Sequence, residues 1–410
     1  MCADWKSGYN PDVITTGLER IKSTSANGEV SFTGFEFDDY ATVLLSSLSF
    51  VSHLPDIYKR QFVHKGISLV AKSKTLTKSA LLQEISKLEK AYMREPIKKY
   101  LLASDISLHT PTARESVGLN DTRITFSRHL SSKIQRDVFL QLGREFINRE
   151  LPTAYSYIQI MTRGRSPEEA GIVALDTIDL LRGIWNFALN RKRHVILHVG
   201  KRDPINKILL GPLHSLHYPN GKRLPDPFWY DPTYIEPVSP IDLRRNWDSL
   251  RSFERQVRKR LSKSHSRTFM EEAFRRYAVA LDERNHETAF LKLWSLLEHL
   301  TRTTTKDSHK VTVARAISVW SDRAFHQEVL HHLRDYRNSA VHMDQRNEEI
   351  TKLLYQLKRY VEALLEFHIF HGYKFVNPGE ITSFFDLPTD KAILTQQKHL
   401  IQKRLRFVRT

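Results

Sequence analysis

From residue 268 to about 372 the chain runs without an internal proline and repeats its apolar residues at helical spacing throughout, a pattern that only an all-helical unit satisfies. Four or five helices are expected there, over 269–283, 286–303, 312–322, 324–338 and 348–370. Phe290, Leu293, Trp294 and Leu297 share one face of the second. Leu354, Leu357, Val361, Leu364 and Leu365 share one face of the last, so a bundle core is at hand.

Residues 1–240 read differently. The runs EVSFTGFEF (29–37), TRITFSRHL (122–130), SYIQIM (156–161) and HVILHVG (194–200) have the alternation or β-branched content of strands. Helices are expected over 76–93 and 166–191. The second has Ser166 as N-cap, Pro167 at the first helical position and Glu168 and Glu169 in the first turn. Ile172, Leu175, Ile178, Leu181 and Trp185 form its apolar stripe. Between 203 and 240 Pro, Gly and aromatic residues surround an Asn220-Gly221 turn signal, which reads as ordered loop or hairpin near a domain edge.

The fold class expected is therefore α+β: a mixed region over 1–240, a basic amphipathic linker helix over 241–267, a helical bundle over 268–372 and a basic tail over 373–410. In the linker, Leu243, Trp247, Leu250, Phe253, Val257 and Leu261 oppose Arg244, Arg251, Arg255, Arg258 and Lys259.

Charge narrows the function. With 63 Lys and Arg against 46 Asp and Glu the chain carries +17, which suits a polyanion, because basic surface gains affinity by releasing phosphate counterions. Charge alone does not separate RNA from DNA or anionic lipid. Arg258, Lys259, Arg260, Arg404 and Arg406 are the candidate RNA contacts. The one cysteine, Cys2, excludes an internal disulfide and a Cys-based zinc site. No G-x-x-x-x-G-K-[ST] or G-x-G-x-x-G is present, so nucleotide-hydrolase and dinucleotide chemistry are disfavoured. His194 with His198, and His326 with His331 and His332, raise a metal site, but no H-E-x-x-H or cysteine accompanies them. No cofactor, no metal and no membrane partner are expected, and a reducing, cytoplasmic setting is.

The segment LRDYRNSAVHMD contains Arg337-Asn338-Ser339-Ala340-Val341-His342. An arginine five residues before a histidine is a weak pattern by itself, and Arg260 to His265 repeats the spacing. On a straight helix the two side chains would diverge by roughly 140°. Asn338 and Ser339 favour caps and turns, so a break there would let them converge.

Placed after a helix carrying Trp294, Glu298 and Leu300, the motif R-N-x-x-x-H of Arg337, Asn338 and His342 resembles the Apea-like group of the HEPN superfamily. The match covers about 268–372. GPLHSLHYPNG followed by FWY is similar to the amino-terminal region of longer members. The resemblance implies a metal-independent endoribonuclease, a homodimer that brings two motifs into one cleft, and a role in defence against phages, as a toxin acting on host or viral RNA. Arg337 and His342 would be catalytic, and Asn338 and Glu298 supporting, with Glu298 holding Arg337. The amino-terminal region would bind a trigger or restrain the nuclease. Arg337 could instead be a structural partner of Asp335 or Glu298. The rival function is a non-catalytic HEPN module that binds RNA or nucleotide or serves dimerisation. A DNA-binding regulator rests on charge alone.

Overall fold

The computed structural model describes residues 3–50, 54–73, 75–130, 134, 154–191, 203–230, 238–304, 307, 309–340, 349–388 and 390–408. Helices and strands coexist as the pattern requires, giving an α+β fold. The expected strand over 194–200 lies outside the described residues. The chain divides into two compact units: Met1–Leu102 with Met161–Ala174 and Leu216–Pro227, and Ala103–Ile160 with Leu175–Ser215 and Phe228–Thr410.

The first unit holds α1 (Pro11–Ile21), α2 (Glu36–Ser47), α3 (Asp56–Ser73) and α4 (Lys78–Arg94), with the short pairs β1 (Ala3–Trp5) with β4 (Leu48–Phe50) and β2 (Lys22–Thr24) with β3 (Val30–Phe32). Asn10 and Thr77 cap α1 and α4 by accepting the N–H of Asp12 and of Ala80. Ile14, Leu18, Leu44, Val63, Ile67, Leu81 and Ile85 form the core. The strand expected over 29–37 stops at Phe32, and Glu36 opens α2. Glu36, Asp38 and Asp39 crowd that first turn, where carboxylates favour the positive end of a helix.

A six-stranded sheet has the order β11-β10-β5-β9-β8-β7, from β5 (Lys98–Ile106), β7 (Arg114–Leu119), β8 (Thr122–Ser127), β9 (Ser156–Gly164), β10 (Leu213–His217) and β11 (Arg223–Tyr230), and the short β6 (Leu108–His109) pairs in parallel with β12 (Ile241–Asp242). Asn220-Gly221 does turn the chain between β10 and β11: Gly221 sits at φ +93° and Tyr218 N–H donates to the Lys222 carbonyl at 2.8 Å. In β5, burial pushes the carboxyl of Asp105 up to about 7.

α5 (Pro167–Asn190) starts as read, with the Glu169 N–H donating to Ser166 Oγ at 3.1 Å. From Leu180 to Phe187 it is buried on every side, not along one stripe. The cause is close approach: a Cβ on Gly183 would stand 2.2 Å from the Phe274 carbonyl oxygen of α7 (Arg267–Leu281). Gly183→Val must push backbone from backbone, and its expected cost is about 2 kcal/mol, within the range of overpacked cores, seen as a lower urea midpoint.

The other helices of the second unit are α6 (Trp247–Leu261), α8 (His286–Leu300), α9 (His309–Ile317), α10 (Arg323–Ala340), α11 (Ile350–Phe370), α12 (Pro378–Phe385) and α13 (Lys391–Phe407). Phe290, Leu293, Trp294 and Leu297 of α8 and Leu354, Leu357, Val361, Leu364 and Leu365 of α11 are buried, as their spacing demands. Within this core Lys358 Nζ donates to Glu362 at 3.0 Å and to the Asn190 carbonyl at 2.9 Å, and Tyr277 donates to Glu362 at 2.5 Å.

The division into units is discontinuous, whereas composition suggests one boundary near 240. Buried polar groups explain why 175–215 groups with the helices. Arg182 bonds the Ile208 carbonyl and Asp282 at 3.0 Å each, and Asn206 bonds Asp282 at 2.7 Å and the Ala278 carbonyl at 2.8 Å. The helix read as a linker also belongs here. Trp247 of α6 meets the rings of Trp185 at 5.5 Å and Phe126 at 6.2 Å. The stretch read as a tail forms α12 and α13. Asp386 takes Arg315 in a two-pronged ion pair at 2.7 and 2.8 Å, and Ile381 and Phe385 are buried.

Candidate active site and basic cleft

α10 is held to the bundle by Leu330 and Leu333, both fully buried, and by Tyr336, whose ring stands edge-on to Phe290 at 4.9 Å. That anchor sets the last turn. Arg337 follows on the flank, half-buried, with Asn338 and Ser339 exposed.

The break expected at Asn338 and Ser339 does not occur there. Both residues are helical, and α10 continues to Ala340. Ser339 Oγ donates back to the Tyr336 carbonyl at 2.9 Å, a bond compatible with the helix, so its turn-forming tendency is satisfied without leaving it. His342 lies outside the described residues, which resume at 349.

Glu298 does not hold Arg337. Its Oε1 accepts the indole N–H of Trp294 at 2.8 Å, the natural partner one helical turn earlier on α8. Asp335 is also engaged elsewhere, by Arg334 at 2.7 Å. Among the described residues Arg337 contacts only Asn338, Nη1 to Oδ1 at 3.4 Å, which is long for a hydrogen bond. The motif arginine therefore sits in the last turn of a bundle helix with no carboxylate on it among the described residues.

A second feature lies along α6. A cleft of about 510 Å³ is bordered by Leu119, Asn120, Arg255, Arg258, Lys259 and Arg267, and a smaller hollow of about 320 Å³ by Gln256, Lys259, Arg260 and Lys263. Lys259 belongs to both. Arg255 and Lys259 stand one turn apart on the helix, and Lys263 follows two residues past its end, so the three cations form a short row.

The candidate RNA contacts do not all keep their charge available. Arg258 Nη1 donates to the buried Glu254 at 2.9 Å, with Arg251 on the same carboxylate. The Arg260 guanidinium lies over the Phe370 ring at 4.7 Å. Arg267 bonds Glu271 at 2.8 Å and Asn120 at 2.5 Å. Arg255 and Lys259 are exposed and, among the described residues, have no ion-pair partner. Arg404 and Arg406 stand exposed on α13, remote in sequence from the row.

Sequence reading had Arg255 on the basic face but missed the cleft members Asn120 and Arg267. Asn120 sits at φ +52° in the turn joining β7 and β8, where Leu119 pairs with Thr122, and the Asn-Asp pair between two alternating runs was its signal. Of the histidines weighed as ligands, His326 bonds the Tyr360 hydroxyl at 2.9 Å, and burial lowers its pKa. His194 and His198 lie outside the described residues. Among the described residues no group of His, Cys, Asp and Glu could hold a metal ion, and no helix is long and apolar enough to cross a membrane.

Exchanging Arg255 and Lys259 together for Gln is expected to weaken RNA binding across sequences and to lower the slope of log K against log salt by about 1.4, two single-strand phosphate contacts at about 0.7 each. Binding titrations over a salt series measure it. Comparison with protein-family models, curated proteins and solved structures finds no match to this chain.

Proposed function

We propose that this protein is a metal-independent endoribonuclease of the HEPN type, acting as a homodimer, with Arg337 and His342 as its catalytic pair and a role in cellular defence. The observation that carries the reading is Arg337 itself, an arginine at the end of a bundle helix with no acidic partner among the described residues. An arginine with no carboxylate on it keeps its planar fork for an anion such as phosphate.

RNA supplies its own nucleophile. The 2′-oxygen attacks the adjacent phosphorus, its proton passes to a base, and the 5′-oxygen leaves with a proton from an acid. Products are a 2′,3′-cyclic phosphate and a 5′-hydroxyl. An imidazole can serve as base or acid near neutral pH, and each copy of the chain supplies one His342, so two copies fill both roles. Arg337 stabilises the charge that builds on the phosphorane oxygens. The row of Arg255, Lys259 and Lys263 would take the phosphates of the flanking strand.

The test incubates the purified full chain with end-labelled RNA in excess chelator. Cleavage leaving cyclic phosphate ends supports the proposal. Tight RNA binding with no cleavage would reassign the protein to the binding-module class, and preference for duplex DNA would remove RNA altogether.

A further inference from the structure

α13 has no buried residue along its length, although its side chains are sorted. At 3.6 residues per turn, Ile393, Leu394, Leu400, Ile401, Leu405 and Phe407 fall within an arc of roughly 160°. Gln397 and Arg404 alone interrupt it. Lys391, Thr395, Gln396, Lys398, His399, Gln402, Lys403 and Arg406 occupy the remainder. Leu400 is 57% exposed, Leu405 69% and Phe407 80%, so a continuous apolar face meets water. A helix of this length with no buried residue gains little from tertiary packing, and covering its apolar arc would stabilise it.

Charge selects among partners. From 391 to 410 the chain has Lys391, Lys398, Lys403, Arg404, Arg406 and Arg409, with no Asp or Glu. Pairing with α13 of a second copy would double that positive charge along one seam without a carboxylate to answer it. Nucleic acid would answer the cations and leave the apolar arc uncovered. An anionic lipid surface answers both: Ile, Leu and Phe enter the acyl boundary while Lys and Arg meet the headgroups. Lying in the plane of the surface needs no spanning length.

The geometry points to α13 as a peripheral anchor that seats the protein on anionic bilayers, with Phe407, Leu400 and Ile401 inserted and Lys398 and Lys403 toward the headgroups. Nothing in this inference rests on the nuclease reading.

Full-length protein is sedimented with vesicles of phosphatidylcholine alone or with a third phosphatidylglycerol. Binding to the anionic vesicles that falls with salt, and little to the neutral ones, is the expected result. Each lysine near such a surface contributes roughly fivefold, so Lys398→Gln with Lys403→Gln lowers partitioning roughly 25-fold. Leu400→Glu with Ile401→Glu abolishes it at unchanged circular dichroism, since both side chains are already more than half exposed. The inference is overturned if the parent stays in the supernatant with anionic vesicles, or if it binds both vesicle types equally. It is also overturned if the Leu400→Glu, Ile401→Glu variant binds as the parent does, or if its effect is instead to halve the mass in solution or abolish RNA binding.

Discussion

His342→Ala is expected to lower the rate of RNA cleavage by about 10²–10⁴-fold while RNA affinity stays within a small factor of the parent. The split follows from the role. A proton carrier acts on the transition state, whereas the contacts proposed to retain the strand, those of the α6 row, survive the change. Arg337→Ala should lose comparably in turnover, because a guanidinium on the phosphorane oxygens is worth most as charge develops. Arg337→Lys should restore only part, since an ammonium keeps the charge but loses the fork. Single-turnover cleavage beside filter binding separates the two quantities. A His342→Ala protein that cuts as fast as the parent removes the proposed chemistry, and one that loses binding and cutting alike makes the residue structural.

The largest stability effect is expected in the bundle core, from Lys358→Met. Lys358 and Glu362 are 3% and 9% exposed and bond each other, Tyr277 bonds Glu362, and Lys358 also donates to the Asn190 carbonyl. Removing the ammonium leaves a carboxylate sealed in the core, which typically costs about 3–5 kcal/mol. Burial already raises the Glu362 pKa, ahead of the opposing pull of Lys358, so in the variant the rise is larger. The folded state then binds the proton more tightly than the unfolded chain does. Stability of the variant is therefore greatest at low pH, where both forms are protonated, and falls as the pH climbs through the raised pKa. Urea unfolding at pH 5 and pH 7 should show a deficit that shrinks at pH 5. Replacing both residues, Lys358→Met with Glu362→Leu, should recover most of it.

Much of the helical half was open to reading because its signals are local. Leu354, Leu357, Val361, Leu364 and Leu365 define a face by spacing alone, and α11 follows it. Ser166, Pro167 and Glu169 fix the start of α5 with a bond between near neighbours. What escaped depends on partners distant in sequence. That Gly183 must face the Phe274 backbone, and that Asn206 caps off contacts with Ala278 and Asp282, cannot be seen in any window of residues. The site divides the same way. The basic face of α6 was legible, but which cations Glu254 would claim depends on which side is buried. Glu298 was assigned by family likeness to Arg337, and the nearer indole of Trp294 took it. Asn338 and Ser339 carry turn propensity, yet Tyr336 seated on Phe290 and the back-bonded Ser339 hydroxyl keep the helix intact.

The Arg315–Asp386 fork has a consequence for reach. Only three residues separate Asp386 from the Asp390 that caps α13, and those four steps extend to about 14 Å at most. If α13 seats on a surface as proposed, that short link keeps the rest of the second unit close to it, as a tethered body.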